Sequence, residues 1–363
     1  MRLKVFTSWY LRNERWISSL SLVGGFVFDV LKLERVDLFW ENLWVGAHLG
    51  IAAFGIVLIN LLENRKGRLS TKAYGIIHFW LIMLIQFAFG GLLSTFMVFY
   101  FRSGTLSSSW PFLLVLALVF VSNELLKFHY TRLILQTTVF YFSVYSFAIF
   151  IVPVIVHRIG PDIFVLSGFV SLIILLLFIL CLRYISSERF RESKKLLFLT
   201  TVGITILINV LYFTNLIPPI PLSLKDSGVY HSITHTSAGV YTAAGEPQDF
   251  WDFFRSYEQF HEVANQPIYV FSSVFSPTSL NTQIVHEWQH YDSTTKKWTV
   301  ENQTKLSIVG GRGGGFRTYS IRTVNIPGRW RVDVKTLQGQ LIGRIKFEVI
   351  NVDTNPNLTT STL

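Results

Sequence analysis

The sequence predicts an all-α transmembrane bundle of about seven helices, followed by an all-β, extracytoplasmic domain like an antiparallel sandwich with one amphipathic helix. Half of the residues are hydrophobic and only 15% are charged, against about 25% charged in soluble proteins. The long apolar stretches end at a proline-rich run, Leu216-Ile-Pro-Pro-Ile-Pro-Leu222, after which the chain is polar. We therefore expect the bundle at 1–214, a membrane-exit connector at 215–245, the β domain with its leading helix at 246–352, and a polar tail at 353–363.

Seven apolar windows are long enough to cross a lipid bilayer, whose hydrocarbon core of about 30 Å requires about 20 residues of helix. They lie near residues 16–33, 41–62, 76–100, 107–125, 131–156, 162–182 and 195–214. Residues 1–15 are polar and basic, and further apolar windows follow the first one. We therefore expect a retained signal anchor rather than a cleaved signal peptide.

The distribution of Lys and Arg predicts the orientation, because short basic loops stay in the cytoplasm. The N-terminus and the second, fourth and sixth loops hold 15 of these residues, whereas the intervening loops hold four. The N-terminus is then cytoplasmic and the C-terminal domain extracytoplasmic, in a multi-pass protein of a bacterial inner (cytoplasmic) membrane. The single cysteine, Cys181, lies in an apolar window. The exported domain therefore has no disulfide, which suits a bacterial cell envelope.

The net charge of +10 is mainly a topology signal, because residues 216–363 carry 13 basic and 12 acidic side chains. This balance removes the main electrostatic argument for nucleic-acid binding. Polar residues at membrane depth are costly and often functional. They are Asp29, His48, His78, Asn60, Gln86, Asn123, Glu124, Gln136 and Asn209. Convergence of several near the bilayer midplane would favour a transporter with an accessory domain, one alternative function.

The polar third of the chain begins with one helical pattern and continues with strand patterns. Aromatic and apolar residues recur at helical spacing from Phe250 to Ala264 after Pro247, which predicts an amphipathic helix. Six segments with alternating, β-branched or aromatic residues then predict strands at 268–276, 282–291, 297–308, 317–324, 330–336 and 341–352. Six short strands without intervening helices predict the antiparallel sandwich.

His286-Glu-Trp-Gln-His290 matches the HExxH signature of zinc proteases, in which two His on a helix bind zinc and the Glu activates water. Here the segment has the pattern of a strand, on which His286 and His290 would stand about 13 Å apart. We therefore predict no metal and no cofactor. The alternative is a membrane-anchored zinc hydrolase that uses His286, Glu287 and His290, with His231, His235 and His261 as possible further ligands.

The glycine run Gly310-Gly-Arg-Gly-Gly-Gly315 has two interpretations. Consecutive backbone amides beside Arg312 and Arg317 could form an anion-binding nest. The run lacks the Lys-Ser/Thr ending of a nucleotide-binding loop. A flexible hairpin connection is the simpler interpretation.

Four motifs in this region resemble a known family: His286-x-Trp288, the glycine run extended to Ser320, Gly328-Arg-Trp-Arg-Val-Asp-Val334, and Gly339-Gln-Leu-Ile-Gly-Arg-Ile-Lys-Phe347. They are similar to the C-terminal domain of bacterial membrane proteins of the domain of unknown function 2914 family. The resemblance covers about residues 215–350 and implies that His-x-Trp lies on a β-strand. The family brings no established activity.

Seven residues near the ends of the predicted strands could stack on a sugar or bind a carboxylate or phosphate. They are His286, Trp288, Arg312, Arg317, Tyr319, Ser320 and Arg322. The competing interpretation is a buried His286–Trp288 pair with Arg317 bridged to Asp333. We expect no catalytic residues, and a protein that sits in the lipid bilayer and binds a cell-wall or surface glycan, or an envelope protein.

Overall fold

A computed structural model describes most of the chain, in two compact units. It covers residues 24–33, 35, 37–65, 70–103, 106–125, 132–235, 241–247, 255–263, 266–277, 280–324, 326–354 and 356–363. The helical unit comprises the described residues up to Arg102 and from Ser109 to Leu216, and the β-rich unit comprises those of Ser103–Ser108 and Ile217–Leu363.

The helical unit contains seven helices among its described residues. They are α1 (24–32), α2 (Phe39–Asn64), α3 (Thr71–Ser103), α4 (Leu106–Leu125), α5 (Leu133–Val156), α6 (Pro161–Ile185) and α7 (Ser187–Phe213). Of these, α2, α3, α5, α6 and α7 are long and apolar enough to cross a membrane. The apolar helical part is therefore confirmed, with five qualifying helices, and seven spans stay a prediction.

Hydrogen bonds between helices satisfy several of the polar residues that the sequence places at membrane depth. The Asn60 amide donates to Gln136 Oε1 on α5 (2.9 Å) and accepts from Arg189 on α7 (2.9 Å). Asn209 on α7 donates to the hydroxyl of Tyr145 on α5 (3.1 Å). Because lipid offers no hydrogen-bond partner, such contacts fix the register of neighbouring helices.

The β-rich unit contains eleven strands among its described residues. They are β1 (Ser223–Tyr230), β2 (Ser232–His235), β3 (Tyr241–Gly245), β4 (Glu258–Glu262), β5 (Pro267–Phe275), β6 (Thr282–Asp292), β7 (Lys297–Ile308), β8 (Phe316–Thr323), β9 (Gly328–Thr336), β10 (Leu341–Asn351) and β11 (Thr359–Thr362). The six predicted strands correspond to β5 to β10 within two residues at each end.

These strands form three sheets, with the orders β1-β5-β8, β4-β10-β9-β6-β7 and β11-β3-β2. Every pairing is antiparallel except that of β4 with β10, which is parallel. The β-rich C-terminal domain is confirmed, whereas the two-sheet sandwich stays a prediction.

Part of the predicted amphipathic helix is a strand. Residues 258–262 form β4, whose partners run from Phe347 to Asn351 on β10. The helical spacing of aromatic residues was misleading, because Phe260 reaches the core (2% exposed) from a strand and packs near Phe347. Backbone pairing with the edge of β10 outweighs a local helical preference. Residues 248–254 of the predicted helix lie outside the described part of the chain.

Two further segments have more structure than the sequence predicts. The expected connector contains β1, β2 and β3, and the expected polar tail contributes β11, which pairs with β3. Alternation over so few residues is a weak signal for a strand. The apolar residues of these segments contribute to one small cluster. Its buried members are Ile233, Ala243 and Phe271.

In the core of the β-rich unit, side chains of β6 form hydrogen bonds with serines of β5 and β8. Trp288, Trp330, Phe271 and Phe347 are among its largest fully buried side chains. Alternation then leaves the residues of β6, β9 and β10 between these core positions on the opposite side of the five-stranded sheet.

Candidate functional site

The opposite side of the five-stranded sheet is rich in charge, and we call it the charged face. Its residues come from β6, β9 and β10: Glu287, Gln289, Arg331, Asp333, Lys335 and Arg344. They alternate with core residues such as Trp288 and Val332, so the same pleat that builds the core builds this face.

The two carboxylates of the charged face lie beneath its longer cationic side chains. Asp333 is 1% exposed, and Arg344 donates to both of its oxygens (2.6 and 2.8 Å). Glu287 is 8% exposed and accepts hydrogen bonds from Lys335 and from Gln303 of β7. Burial raises the pKa of Glu287, but the hydrogen bond and positive charge of Lys335, together with hydrogen bonds from Gln303 and Gln289, lower it overall. Both carboxylates are therefore neutralised from within the face.

Arg331 is the remaining cation of the charged face. Its Nε donates to Gln289 Oε1 (2.7 Å), and its guanidinium carbon lies 4.2 Å from the ring centroid of Trp298 on β7. Burial and the neighbouring charge of Arg344 lower the pKa of Arg331. Among the described residues, no carboxylate forms an ion pair with it. The guanidinium thus packs against an aromatic ring, and no described residue hydrogen-bonds to its two terminal nitrogens.

Aromatic rings border the charged face at both ends. Trp298 packs beside Tyr291, with ring centroids 5.2 Å apart. At the other end, Arg329 and Lys346 lie over the ring of Tyr257 at 5.3 and 5.8 Å. Sugar rings and planar guanidinium groups both stack on such surfaces. The arrangement can therefore hold a ligand that combines a ring with a negative charge.

Three of the residues predicted as a ligand site lie together in the core instead. His286 Nε2 is 2.8 Å from Ser272 Oγ on β5, and His286 Nδ1 is 2.9 Å from Ser320 Oγ on β8. The indole of Trp288 donates to the same Ser320 hydroxyl (3.0 Å). Burial lowers the pKa of His286 to about 4, so the imidazole is neutral at pH 7. The three side chains therefore hold β6 against β5 and β8.

The other four predicted residues do not converge on Trp288, which is fully buried. Arg322 lies over Trp330 (5.4 Å) and pairs with Glu301 (3.4 Å). Arg312 is exposed and lies 5.8 Å from the ring of Phe316. Tyr319 packs beside Tyr241 and Tyr269 in the small apolar cluster. Arg317 is half-buried on β8.

The competing interpretation predicted a buried His286–Trp288 pair, which is correct. It also predicted an ion pair between Arg317 and Asp333, which the structure does not contain. Asp333 is bound by Arg344, not by Arg317. Asp333 and Arg344 are cross-strand partners, so the pleat of the sheet places both side chains on the charged face.

The HExxH segment is β6, as its alternation indicates. Glu287 points away from His286, which is on the opposite side of the strand, and His290 packs on Trp330 at 4.8 Å. Of the possible further ligands, His231 and His261 both bind Glu246 (3.1 and 2.6 Å), and His235 lies against Tyr241. Within the described ranges, no group of three or more His, Cys, Asp or Glu side chains is arranged to hold a metal ion.

Sequence reasoning did not single out Arg331, Gln289 or Trp298. A usable signal was present on β9, where Arg329, Arg331 and Lys335 occupy the positions between core residues. The proximity of Trp298 to Arg331 depends on the register of β7, β6 and β9, which the sequence does not reveal.

A helical part with membrane-crossing composition, followed by a β-rich domain with a charged face, defines the general class of this protein. Residues 281–349 match the family described as "Protein of unknown function (DUF2914)". This match confirms the resemblance over the segment that contains β6 to β9 and most of β10.

Comparison with solved structures gives low similarity. A β-glucosidase from Listeria innocua in complex with glucose aligns with 13% identity and a TM-score of 0.19 over 26% of this chain and 15% of that chain. The alkylpurine DNA glycosylase AlkC of Pseudomonas fluorescens, bound to DNA containing an abasic site analog, aligns with 9% identity and a TM-score of 0.22. The alignment covers 85% of this chain and 98% of that chain. The chain thus spans well under a fifth of the glucosidase. No curated protein matches significantly.

Proposed function

We propose that this chain is a multi-pass membrane protein of a bacterial cell envelope whose β-rich domain binds an acidic glycan through the charged face. One observation carries the proposal: the Arg331 guanidinium packs against Trp298 and its Nε donates to Gln289, while no described residue hydrogen-bonds to its terminal nitrogens. A planar, preorganised guanidinium binds a carboxylate or phosphate through two parallel hydrogen bonds.

The aromatic border supports a sugar ligand over a simple anion. Trp298 and Tyr291 at one end and Tyr257 at the other provide apolar surfaces beside cationic groups. A polymer of charged sugars would place rings on the aromatic residues and acidic groups on Arg331. A protein partner is the competing occupant, and the continuous layer of charges at the centre of the face argues against it, because cores of protein interfaces are depleted of charge.

The proposed topology has seven spans, a cytoplasmic N-terminus and an extracytoplasmic β domain packed as a sandwich. Five qualifying helices, together with the apolar stretch Ser109–Asn123 of α4, support the bundle. The excess of Lys and Arg in alternate loops supports the orientation. Hydrogen bonds from His286 and Trp288 on β6 to serines on β5 and β8 support face-to-face packing of two sheets.

The zinc-hydrolase alternative draws no support from this geometry. Both nitrogens of His286 are within hydrogen-bond distance of serine hydroxyls, and Glu287 is bound by Lys335 on the other side of β6. A water-activating Glu must share a site with the metal-binding His residues.

The test is binding of the full-length chain in nanodiscs to alginate, a polymer of uronic acids, with neutral dextran and dextran sulfate as comparisons. We expect saturable binding to alginate and no measurable binding to dextran. Arg331→Ala and Trp298→Ala should each weaken alginate binding by about tenfold, which corresponds to about 1.4 kcal/mol. Lys225→Ala removes an exposed positive charge from β1, which belongs to another sheet, and should have little effect.

Three results would contradict the proposal: absence of alginate binding, an equal loss in Lys225→Ala and Arg331→Ala, or tighter binding to dextran sulfate that none of the variants changes. The last result would indicate nonspecific attraction of a polyanion. Capture of a defined envelope protein that depends on Arg331 would favour the protein partner instead.

A further inference from the structure

The helical unit contains a cavity of about 540 Å³ lined by residues of α1, α2, α3 and α4. This volume lies within the usual range of about 300–1,000 Å³ for small-molecule sites. The cavity is independent of the charged face, because it lies entirely within the helical unit.

His48 on α2 contributes a hydrogen-bonding atom to this cavity. Its Nδ1 lies 2.9 Å from the carbonyl oxygen of Trp44, so Nδ1 carries the proton of the neutral ring and Nε2 has a free lone pair. The side chain is 3% exposed, and no group among the described residues hydrogen-bonds to Nε2. The ring also lies against Gly91, where an added Cβ would be 2.7 Å from Nε2. A glycine at 91 is therefore needed for the ring to take this position.

One further polar group of the lining, the amide nitrogen of Gln86, is also unpaired within the described part of the chain. The hydroxyl of Ser94, whose residue is 2% exposed, lies beside the carboxyl group of Asp29. Leaving a buried polar group unpaired is energetically costly. Two such groups around one cavity are therefore expensive unless a ligand satisfies them.

The lining is electronegative and aromatic. It includes the carboxyl group of Asp29, which is 6% exposed, and its described residues include no Lys or Arg. Arg102 donates instead to the backbone carbonyl oxygens of Val30 and Leu33, at the C-terminal end of α1. A carboxyl group buried among apolar helices is costly and usually has a functional reason.

Aromatic rings surround the polar groups. Trp44 and Phe87 both pack against the His48 ring, at centroid distances of 4.4 and 5.4 Å. Phe26 and Phe120, 6.1 Å apart, contribute to another part of the wall. A cavity that combines several aromatic rings with one carboxylate favours an organic cation, because ring faces attract positive charge.

We infer that the helical unit binds a small organic ammonium ion in this cavity. Asp29 balances its charge, His48 Nε2 accepts a hydrogen bond from it, and Trp44 and Phe87 contact its apolar part. Ser94 and Gln86 bind polar substituents. A free solute and the headgroup of an ammonium lipid carry the same chemistry.

The test is calorimetric titration of the purified full-length chain in detergent with choline and with n-butylammonium. The neutral isostere of choline, 3,3-dimethyl-1-butanol, is the comparison ligand. We expect at least one cation to bind saturably and at least tenfold more tightly than the alcohol. Asp29→Asn and Trp44→Leu should each weaken cation binding at least tenfold. Gly91→Ala should also weaken it, because the added methyl group displaces His48.

Matched controls are Asp162→Asn, which alters an exposed ion pair with Arg158, and Trp80→Leu, which alters an exposed ring on α3. Neither residue lines the cavity, so binding should be unchanged. Failure of both cations to bind, equal binding of the alcohol, or retained binding in folded Asp29→Asn and Trp44→Leu variants would overturn the inference. If Asp29→Asn does not fold, cation binding by Trp44→Leu and Gly91→Ala decides whether the inference stands.

A second titration distinguishes the two sources of the cation. The cation that binds in detergent is titrated into the chain in phosphatidylglycerol nanodiscs with or without phosphatidylethanolamine, and its affinity is compared. Competition by phosphatidylethanolamine would identify a lipid headgroup as the occupant, and unchanged affinity would identify a free solute.

Discussion

The imidazole of His286 and the hydroxyl of Ser320 lie 2.9 Å apart in a core where both side chains are almost completely buried. The same hydroxyl accepts a hydrogen bond from the Trp288 indole. If Ser320 donates to Nδ1, then the Nε2 proton is donated to Ser272 and every group in the chain of hydrogen bonds is satisfied. One serine thus fixes the tautomer of the histidine and the orientation of the tryptophan.

We expect Ser320→Ala to lower the free energy of unfolding of the β-rich domain by about 2–4 kcal/mol, because it leaves two buried nitrogens without partners. Ser307→Ala on β7 changes an exposed serine and should cost less than about 0.5 kcal/mol. Urea unfolding of the full-length chain in detergent, followed by tryptophan fluorescence, measures both. Similar losses in the two variants would contradict this role of Ser320.

The glycine run provides a second prediction, because its members differ in the space around them. A Cβ at Gly310 would overlap the carbonyl oxygen of Pro277, whereas a Cβ at Gly314 would meet nothing within 4 Å. We expect Gly310→Ala to destabilise the domain by about 1–3 kcal/mol through overpacking and Gly314→Ala to be nearly neutral. Thermal unfolding of the two variants provides the comparison. An unchanged unfolding temperature in Gly310→Ala would contradict the prediction.

Two buried groups predict opposite dependences of stability on pH. The pKa of His286 falls to about 4 in the folded state, so its contribution to stability is lost as pH falls from about 6.5 to about 4. Burial raises the pKa of Glu262 to about 7, so the folded state keeps its proton and loses stability as pH rises from about 4.5 to about 7. These two effects oppose each other between about pH 4.5 and 6.5.

Glu262→Gln should therefore make unfolding more sensitive to acid, because the opposing effect of Glu262 is removed. It should also stabilise the domain at pH 8 relative to the unsubstituted chain, since it removes a buried carboxylate whose Oε1 has no partner among the described residues. Midpoints of urea unfolding at pH 5, 6.5 and 8 measure both effects. Parallel pH profiles for the two proteins would show that Glu262 does not have the raised pKa.

The ion pair of Asp333 with Arg344 provides a fourth prediction. Arg344→Met leaves the carboxylate with Lys335, at 3.7 Å, and the Gln289 amide, at 3.5 Å, and should cost about 3 kcal/mol. Adding Asp333→Asn to Arg344→Met should restore part of the lost stability, because it removes the charge of the carboxylate. Arg329→Met, which changes a more exposed pair with Glu348 at 4.0 Å, should cost at most about 1 kcal/mol. A double variant less stable than Arg344→Met would contradict the assignment.

The sequence predicts the elements whose patterns are long and regular. Alternation identified β6 as a strand despite its HExxH motif, and it separated Val332 and Val334 of the core from their polar neighbours. It did not reveal β4, because Phe260 fits a helix or a strand equally well until the edge of β10 is known.

The contacts within the sites depend on register and tertiary packing. Trp298 and Arg331 lie 33 positions apart, and two strand pairings separate β7 from β9. The serines that bind His286 also come from other strands. A sequence pattern can therefore place these residues on a face, but it cannot identify their partners.

The parallel strand β4 and the central strand β5 both precede residue 281, where the family match begins. A fragment cut to the matched segment would keep β8 without its sheet partner and β10 without one neighbour. It would also expose the Nε2 side of His286, because Ser272 would be missing. Unpaired strand edges promote association between chains, so the matched segment is a recognisable part of this domain but not an autonomous folding unit.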